Sequence, residues 1–381
     1  MILLATQCFP PRLGGIEGYM GGLADALAAA GSDVVVVADR AAEDAATEED
    51  AADRLRPVAV TRVGGWKPLR ARRKALRIAV RLRAAAAEGG VERIICDSWK
   101  SAETALRAID SASIRPRLIT LAHGMEFPAA PRPAKRDRIA RALARVDRIL
   151  ANSDYTAARA APFAPDPARI AVVPPPIPPQ PEPSAAARAA LRARLAAALG
   201  RAAPPTPLIA CLARHEPRKG FDHVIDAAAA AREAHPSLGV AIAGDGPDRA
   251  RLEGLAAARG APVCFLGRVS EAEKAALFAE AALLAMPSRA EGDSVEGFGM
   301  VYLEAGWHGA PALAGRVGGA AAAVIEGETG WFCDGAAPEA VRAALAGALS
   351  DPAERARRGA AAADHARAQR WSARIAEFLS A

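Results

Sequence analysis

The stretch VEGFGMVYLEA (295–305) sets two glutamates, Glu296 and Glu304, at the ends of an otherwise apolar, glycine-punctuated run. A helical pattern begins at about Phe298 or Gly299, which leaves Glu296 in the preceding loop and Glu304 more than a turn inside the helix. With about 1.5 Å of rise per residue, the two carboxylates can lie on the order of 10 Å apart. That separation suits two independent contacts to polyols and not a paired acid and base. The unpaired N–H groups at the helix start between them suit a phosphate or sugar oxygen. Read without its surroundings, Glu296 is equally an exposed loop residue and Glu304 a surface helix residue.

Other chemistry-bearing residues also follow strand-like runs. In ARHEPRKG (213–220), Arg214 and Lys219 flank a proline turn, and both can reach one diphosphate, the arginine as a planar fork and the lysine as a point charge. A solvated basic loop is the plain alternative. In FPPRLGG (9–15), Gly14 and Gly15 precede a helix starting near Ile16; paired glycines let backbone approach a ligand, although a simple strand-to-helix turn needs them too. His123 closes the run RLITLA and can donate a hydrogen bond to a substrate hydroxyl, or serve packing alone. Main-chain groups near Arg268 and Val269, beside the AGDGP turn (243–247), can read a nucleobase.

The elements that must hold these side chains form an alternation. Apolar runs at 1–6, 33–38, 93–96, 117–123, 148–153 and 170–174 alternate with alanine-rich helical stretches. A second series follows at 207–213, 239–246, 261–267, 282–288, 310–315 and 330–334. Short β-branched runs separated by helices predict parallel sheets covered on both faces. Between the series, seven of the twelve residues 172–183 are proline, which continues neither a helix nor an inner strand and predicts a stiff connector. A length of 381 residues likewise exceeds one ordinary core. The expected division is an N-terminal α/β domain over 1–173, a proline-rich hinge over 174–183, a second α/β domain over 184–360 and a C-terminal helix over 361–381. In that helix Trp371, Ile375, Phe378 and Leu379 fall at helical spacing, so it packs on its own domain or crosses back to the first.

Composition narrows the classes. A chain 51% hydrophobic and 24% charged is of soluble globular type. A net charge of +6 and a pI of about 9.3 favour an anionic partner: a nucleotide, a phosphorylated substrate or an acidic membrane. With no aromatic-interleaved basic stripe and no zinc-finger spacing, nucleic acid is not an expected partner. Cys8, Cys96, Cys211, Cys264 and Cys333 form no CxxC pair and are expected to be reduced, mostly buried thiols of a cytoplasmic protein. No run of 18 apolar residues predicts a membrane span, and MILLA (1–5) reads as a first strand and not a signal peptide. The stretch 69–83 is a basic helix candidate, with Arg70, Arg73, Lys74, Arg77 and Arg81 on one face and Leu76, Ala79 and Val80 towards the other. It is either a solvated face or a peripheral contact with anionic lipid at the inner face of the plasma membrane.

Taken in order, these segments resemble the retaining glycosyltransferases of family 4, a group with the GT-B fold. VEGFGMVYLEA resembles their E-x7-E signature, FPPRLGGIEGYMGGLADAL (9–27) their GG-x-E loop, and LAHGMEF (121–127) their HG-x-E stretch. ANSDYTA (151–157), LARHEPRKGFDHVIDA (212–227), AGDGP, FLGRVS (265–270) and GGAAAAVIEGETGWFCD (318–334) follow in that family's order across most of the chain. The resemblance implies two Rossmann-like, doubly wound parallel-sheet domains facing each other across a cleft that closes about the hinge. It implies that Glu296 holds donor-sugar hydroxyls, Glu304 the ribose, and Arg214 and Lys219 the diphosphate. Gly15, with Gly14 beside it, would bring the first loop against that diphosphate. His123 would contact the transferred sugar, and Phe298, Gly299, Met300 and Val301 would bind substrate through the helix start. Two departures are the inserted-looking GDSVEG (292–297) and Ala322, where many relatives carry Pro-Glu.

The implied reaction moves a hexosyl group from a GDP-mannose or UDP-hexose donor to a hydroxyl of a glycan or lipid-linked acceptor in envelope or polysaccharide synthesis. No cofactor and no metal are expected, since the cations and helix-start dipoles can stabilise the leaving diphosphate. Family members are thought to transfer on the face from which the diphosphate leaves, without a protein nucleophile. A sugar-nucleotide epimerase of the same architecture, and a nucleotide-sugar-binding protein without turnover, are the alternatives.

Overall fold

A computed structural model describes residues 1–41 and 45–381. Its chain falls into two α/β units, Met1–Pro178 with Trp371–Ala381, and Pro179–Arg370.

The first unit is built on seven parallel strands: β1 (Ile2–Thr6), β2 (Val34–Asp39), β3 (Ala59–Val63), β4 (Arg93–Cys96), β5 (Arg117–Ala122), β6 (Arg148–Ala151) and β7 (Ile170–Val172). Their order is β3-β2-β1-β4-β5-β6-β7, so the sheet winds one way from β1 and then the other. The helices between them are α1 (Gly15–Ala29), α2 (Ala46–Arg54), α3 (Lys67–Ala85), α4 (Trp99–Ala112), α5 (Pro133–Leu143) and α6 (Asp154–Ala160). Alternation of side chains along β1 divides the core in two. Leu3 and Ala5 pack with Ile78 and Leu82 of α3, Trp99 of α4 and Leu143 of α5. Ile2 and Leu4 pack with Met20, Leu23 and Leu27 of α1. Each fully buried leucine or isoleucine contributes about 1.5–3 kcal/mol.

The second unit carries β8 (Leu208–Leu212), β9 (Gly239–Ala243), β10 (Val263–Gly267), β11 (Leu283–Met286), β12 (Ala312–Gly315) and β13 (Gly330–Cys333), all parallel, in the order β10-β9-β8-β11-β12-β13. Its helices are α7 (Ala185–Ala198), α8 (Phe221–Ala231), α9 (Arg249–Arg259), α10 (Glu271–Glu280), α11 (Met300–Trp307), α12 (Pro338–Ser350) and α13 (Pro352–Ala368).

The last helix, α14 (Trp371–Ser380), belongs to the first unit. Trp371 and Phe378 are buried in the α1 face of that unit's core, and the Phe378 and Leu379 carbonyls accept from Arg93 Nη1 at 3.2 and 2.5 Å. Truncating either ring would cost about 3–5 kcal/mol. The chain therefore passes between units at Pro178–Pro179, inside the proline-rich stretch, and again at Arg370–Trp371. All five cysteines are free thiols, four of them buried and Cys8 half-buried.

Candidate active site

Loops at the carboxyl ends of the second unit's strands gather most of the expected residues. The β8–α8 loop carries Arg214, Glu216, Arg218 and Lys219, the last three in or beside a single tight turn over Pro217–Lys219. Lys219 is buried, and its ammonium is paired with the Glu296 carboxylate from the β11–α11 loop. Arg218 reaches the same oxygen at 3.4 Å and holds Glu216 at 2.9 Å; Glu216 in turn lies 3.4 Å from Arg214. One chain of charges, Arg214–Glu216–Arg218–Glu296–Lys219, thus runs through the loop. Arg214 is its outer end, with 70% of its side chain exposed. Burial alone would raise the Glu296 pKa, yet the Lys219 ammonium, Arg218 and a hydrogen bond from the Phe298 backbone together hold it below the usual value.

Glycines let these loops close on one another. Gly220 follows Lys219 with φ +72°, and a Cβ there would run into the Pro287 carbonyl; Gly318, at φ +87°, lies against the Glu296 carbonyl. The Gly319 N–H donates to that carbonyl at 2.8 Å, and Arg289 N–H donates to the Arg218 carbonyl at 2.8 Å. Asp222 at the start of α8 pairs with Arg289 at 2.8 Å and Arg251 at 3.2 Å, joining the same loops through side chains.

Helix α11 starts at Met300 with Gly299 as its N-cap, one or two residues later than the sequence suggests, and that cap offers no side-chain acceptor to the N–H groups of the first turn. Phe298, Gly299, Met300 and Val301 therefore form the junction that follows Glu296 and Gly297. Glu304 sits on the second turn, and its carboxylate lies 3.3 Å from Lys274 of α10. Lys274 also holds Glu271 at 2.8 Å. Burial pushes the Glu304 pKa up against the pull of Lys274, and the Glu271 charge adds to the rise. Arg268 and Val269 lie between β10 and α10, ahead of a capping box formed by Ser270 and Glu273.

The first unit places the remaining candidates. Gly14 is the N-cap of α1 and Gly15 its first residue; both are exposed. A Cβ on Gly14 would overlap the Glu17 carboxylate, which folds back over the helix start. His123 ends β5. Its N–H donates to Glu126 at 2.7 Å, and its Nε2 lies 2.9 Å from the Asp97 carbonyl. A carbonyl only accepts, so Nε2 carries the proton, and in the neutral ring Nδ1 is an acceptor. That leaves Nδ1 as the ring nitrogen not engaged by Asp97. The Asp97 carboxylate takes hydrogen bonds from Thr6 Oγ1 at 2.8 Å and Gln7 N at 2.6 Å, which fixes the start of the first loop.

Helix α3 differs from its expected facing. Lys74 is buried, paired with Asp39 at 2.7 Å and donating to the Thr6 carbonyl at 3.1 Å. Ala75, Ile78, Ala79 and Leu82 face the core, whereas Leu76 and Val80 are 60% and 52% exposed, on the outside with Arg72, Arg73, Arg77 and Arg81. No helix among the described residues is long and apolar enough to cross a membrane.

Residues 13–181 match the family described as Glycosyltransferase Family 4, and residues 200–365 match Glycosyl transferases group 1. The GDP-mannose-dependent alpha-(1-6)-phosphatidylinositol monomannoside mannosyltransferase of Mycolicibacterium smegmatis is 31% identical over 395 residues, covering 100% of this chain and 98% of its own. The enzyme of the same name from Mycobacterium tuberculosis is 32% identical over 393 residues, covering 99% and 97%.

The chain belongs to glycosyltransferase family 4.

Solved structures place this family 4 glycosyltransferase in the GT-B fold. Anabaena HepE in complex with UDP and glucose aligns over 100% of this chain and 99% of its own at 18% identity, with a TM-score of 0.78. The sucrose-phosphate synthase of Thermosynechococcus elongatus aligns over 100% and 97% at 20% identity, with a TM-score of 0.76. Three further residues, Arg218, Lys274 and Asp97, engage the candidate residues. Arg218 stands in the same proline turn, but its contact with Glu296 joins two loops far apart in the sequence. Lys274 and Asp97 reach their partners only through tertiary packing.

Proposed function

We propose that this glycosyltransferase moves a mannosyl group from GDP-mannose to a hydroxyl of a lipid-linked, inositol-phosphate-bearing glycan in cell-envelope synthesis, with retention at the anomeric carbon and without a metal. The observation that carries this reading is Glu296 held between Lys219 and Arg218 immediately before the uncapped start of α11. The two cations and the helix-start N–H groups offer a site for a diphosphate, and the carboxylate beside them offers acceptors for sugar hydroxyls. The choice of mannose and of a phosphatidylinositol-type acceptor rests on the full-length relatives, whose names state both.

In the proposed reaction the acceptor oxygen bonds to the anomeric carbon as the bond from that carbon to the diphosphate breaks. The acceptor proton passes to the departing phosphate oxygen, on the same face. Lys219, Arg218 and Arg214 take up the charge that develops on the diphosphate, the task on which most of the rate would depend. His123 Nδ1 accepts from a hydroxyl of the transferred sugar. The protein works at the cytoplasmic face of a membrane, and the outward face of α3, with Leu76 and Val80 among arginines, rests on anionic lipid.

Incubation with GDP-mannose or UDP-glucose and a phosphatidylinositol monomannoside, followed by mass spectrometry and NMR of the product, tests the reading. Mannosyl transfer to an α-linked product from GDP-mannose, undiminished by a chelator, is the expected outcome. A β-linked product would refute retention, loss of activity with chelator would refute metal independence, and transfer from UDP-glucose alone would refute the donor.

A further inference from the structure

Tyr19 lies in α1, one turn past the first loop, and is nearly fully buried. Its ring meets the His123 ring edge to face, with centroids 5.8 Å apart and planes at 86°. Against Trp371, the first residue of α14, it stacks at 5.6 Å and 23°. Phe378 closes the group, 5.5 Å from Trp371 and 6.2 Å from Tyr19. The indole packs closely on α1, where a Cβ on Gly22 would overlap its nitrogen, and the residue's backbone N–H donates to the Ile177 carbonyl at 3.2 Å. Ile177 and Trp371 stand at the two places where the chain leaves and re-enters this unit.

His123 needs such support. Its backbone is held by Glu126 and, at 3.4 Å, by the Asn152 amide, but among the described residues its ring has one hydrogen bond, Nε2 to the Asp97 carbonyl. One hydrogen bond leaves rotation about χ2 available unless the flanks of the ring are packed. The Tyr19 ring packs one flank, and Trp371 prevents Tyr19 from giving way. We infer that Tyr19, backed by Trp371, is a positioning residue that holds the His123 ring with Nε2 committed to Asp97 and Nδ1 left for the substrate, so that α14 is a working part of the site and not only a terminal staple. The inference deepens the family 4 transfer reading and rests on it for the role of His123.

The test uses the full chain with Tyr19→Leu, Trp371→Leu and Tyr19→Phe. Transfer is measured as kcat and KM, GDP affinity by calorimetry, and the His123 tautomer by 15N NMR of histidine-labelled protein, with His123→Gln assigning the signal. Tyr19→Leu and Trp371→Leu are expected to lower kcat about 10- to 100-fold, to leave GDP affinity within about twofold, and to replace a single Nε2–H tautomer by an averaged signal. Tyr19→Phe, which keeps the ring, should restore both readouts. An unchanged His123 signal in Tyr19→Leu overturns the inference, and so does Tyr19→Phe behaving like Tyr19→Leu. The tautomer is read without any acceptor, so a chain inactive on the acceptors tried would sink the proposed function while leaving this inference to its own result. If Trp371→Leu fails to fold, Tyr19→Leu decides.

Discussion

Glu296 and Glu304 are the same residue type, both largely buried, each facing a lysine, yet their pKa values move to opposite sides of an ordinary carboxylic acid because their partners differ. Glu296 has Lys219, Arg218 and a backbone N–H, which overcome desolvation. Glu304 has one cation, Lys274, which is shared with Glu271, and desolvation wins. The signs have consequences. Glu296 stabilises the fold above the ordinary glutamate range, and that contribution is lost as pH falls through its lowered pKa. Glu304 works the other way: its favourable contribution belongs to the protonated form and disappears as pH rises through its raised pKa. A ribose bound at Glu304, as the family resemblance implies, would be met by the ionised form, whose oxygens accept from both hydroxyls. Lys274→Met should raise the Glu304 pKa further, so that donor affinity, titrated calorimetrically between about pH 5 and 8, begins to weaken at a higher pH than in the unaltered chain. Superimposable profiles would mean that Lys274 has no part in ribose binding. The residue types of this pair were legible in the E-x7-E spacing, but their charge states were not, since each depends on a partner from another loop or helix.

At the scale of elements, strand order in the sequence carried far. Twelve of the thirteen strands coincide with apolar runs, because a parallel strand buried on both faces has to be apolar along its length. The exception is β3, AVTRV, an edge strand with only Val63 fully buried, which lacks that pattern. Helix α3 was legible as a helix and misread in its facing. Local periodicity cannot reveal that Asp39 and the Thr6 carbonyl draw Lys74 into the core, which turns the helix so that Leu76 and Val80 face outward. That rotation improves the case for lipid, as apolar side chains among arginines suit an interface better than a purely basic stripe. In flotation with vesicles rich in anionic lipid, a charge reversal at Arg73, Arg77 and Arg81 should release the protein, each charge accounting for about 1 kcal/mol. Replacing Leu76 and Val80 by serine should weaken the salt-resistant part of the binding. Equal flotation of all forms, or none by the unaltered chain, would remove α3 as the contact.

For the whole molecule, the two-unit plan follows from the proline-rich break and the repeated alternation, and both units put their candidate residues at the carboxyl ends of parallel strands. The return of the chain at Trp371 was less legible. The spacing of Trp371, Ile375 and Phe378 marks a packing face, and nothing local says which unit receives it; burial of those rings beside Tyr19 settles that. The central claim concerns the second unit: Lys219, backed by Arg218, grips the donor's diphosphate. Calorimetric titration of GDP and GMP into the unaltered chain and into Lys219→Ala tests it most directly. A charged hydrogen bond is worth about 1.5–3 kcal/mol, so Lys219→Ala should weaken GDP about 10- to 100-fold and erase most of its advantage over GMP. GDP binding as tightly to Lys219→Ala as to the unaltered chain, with its advantage over GMP intact, would contradict the claim.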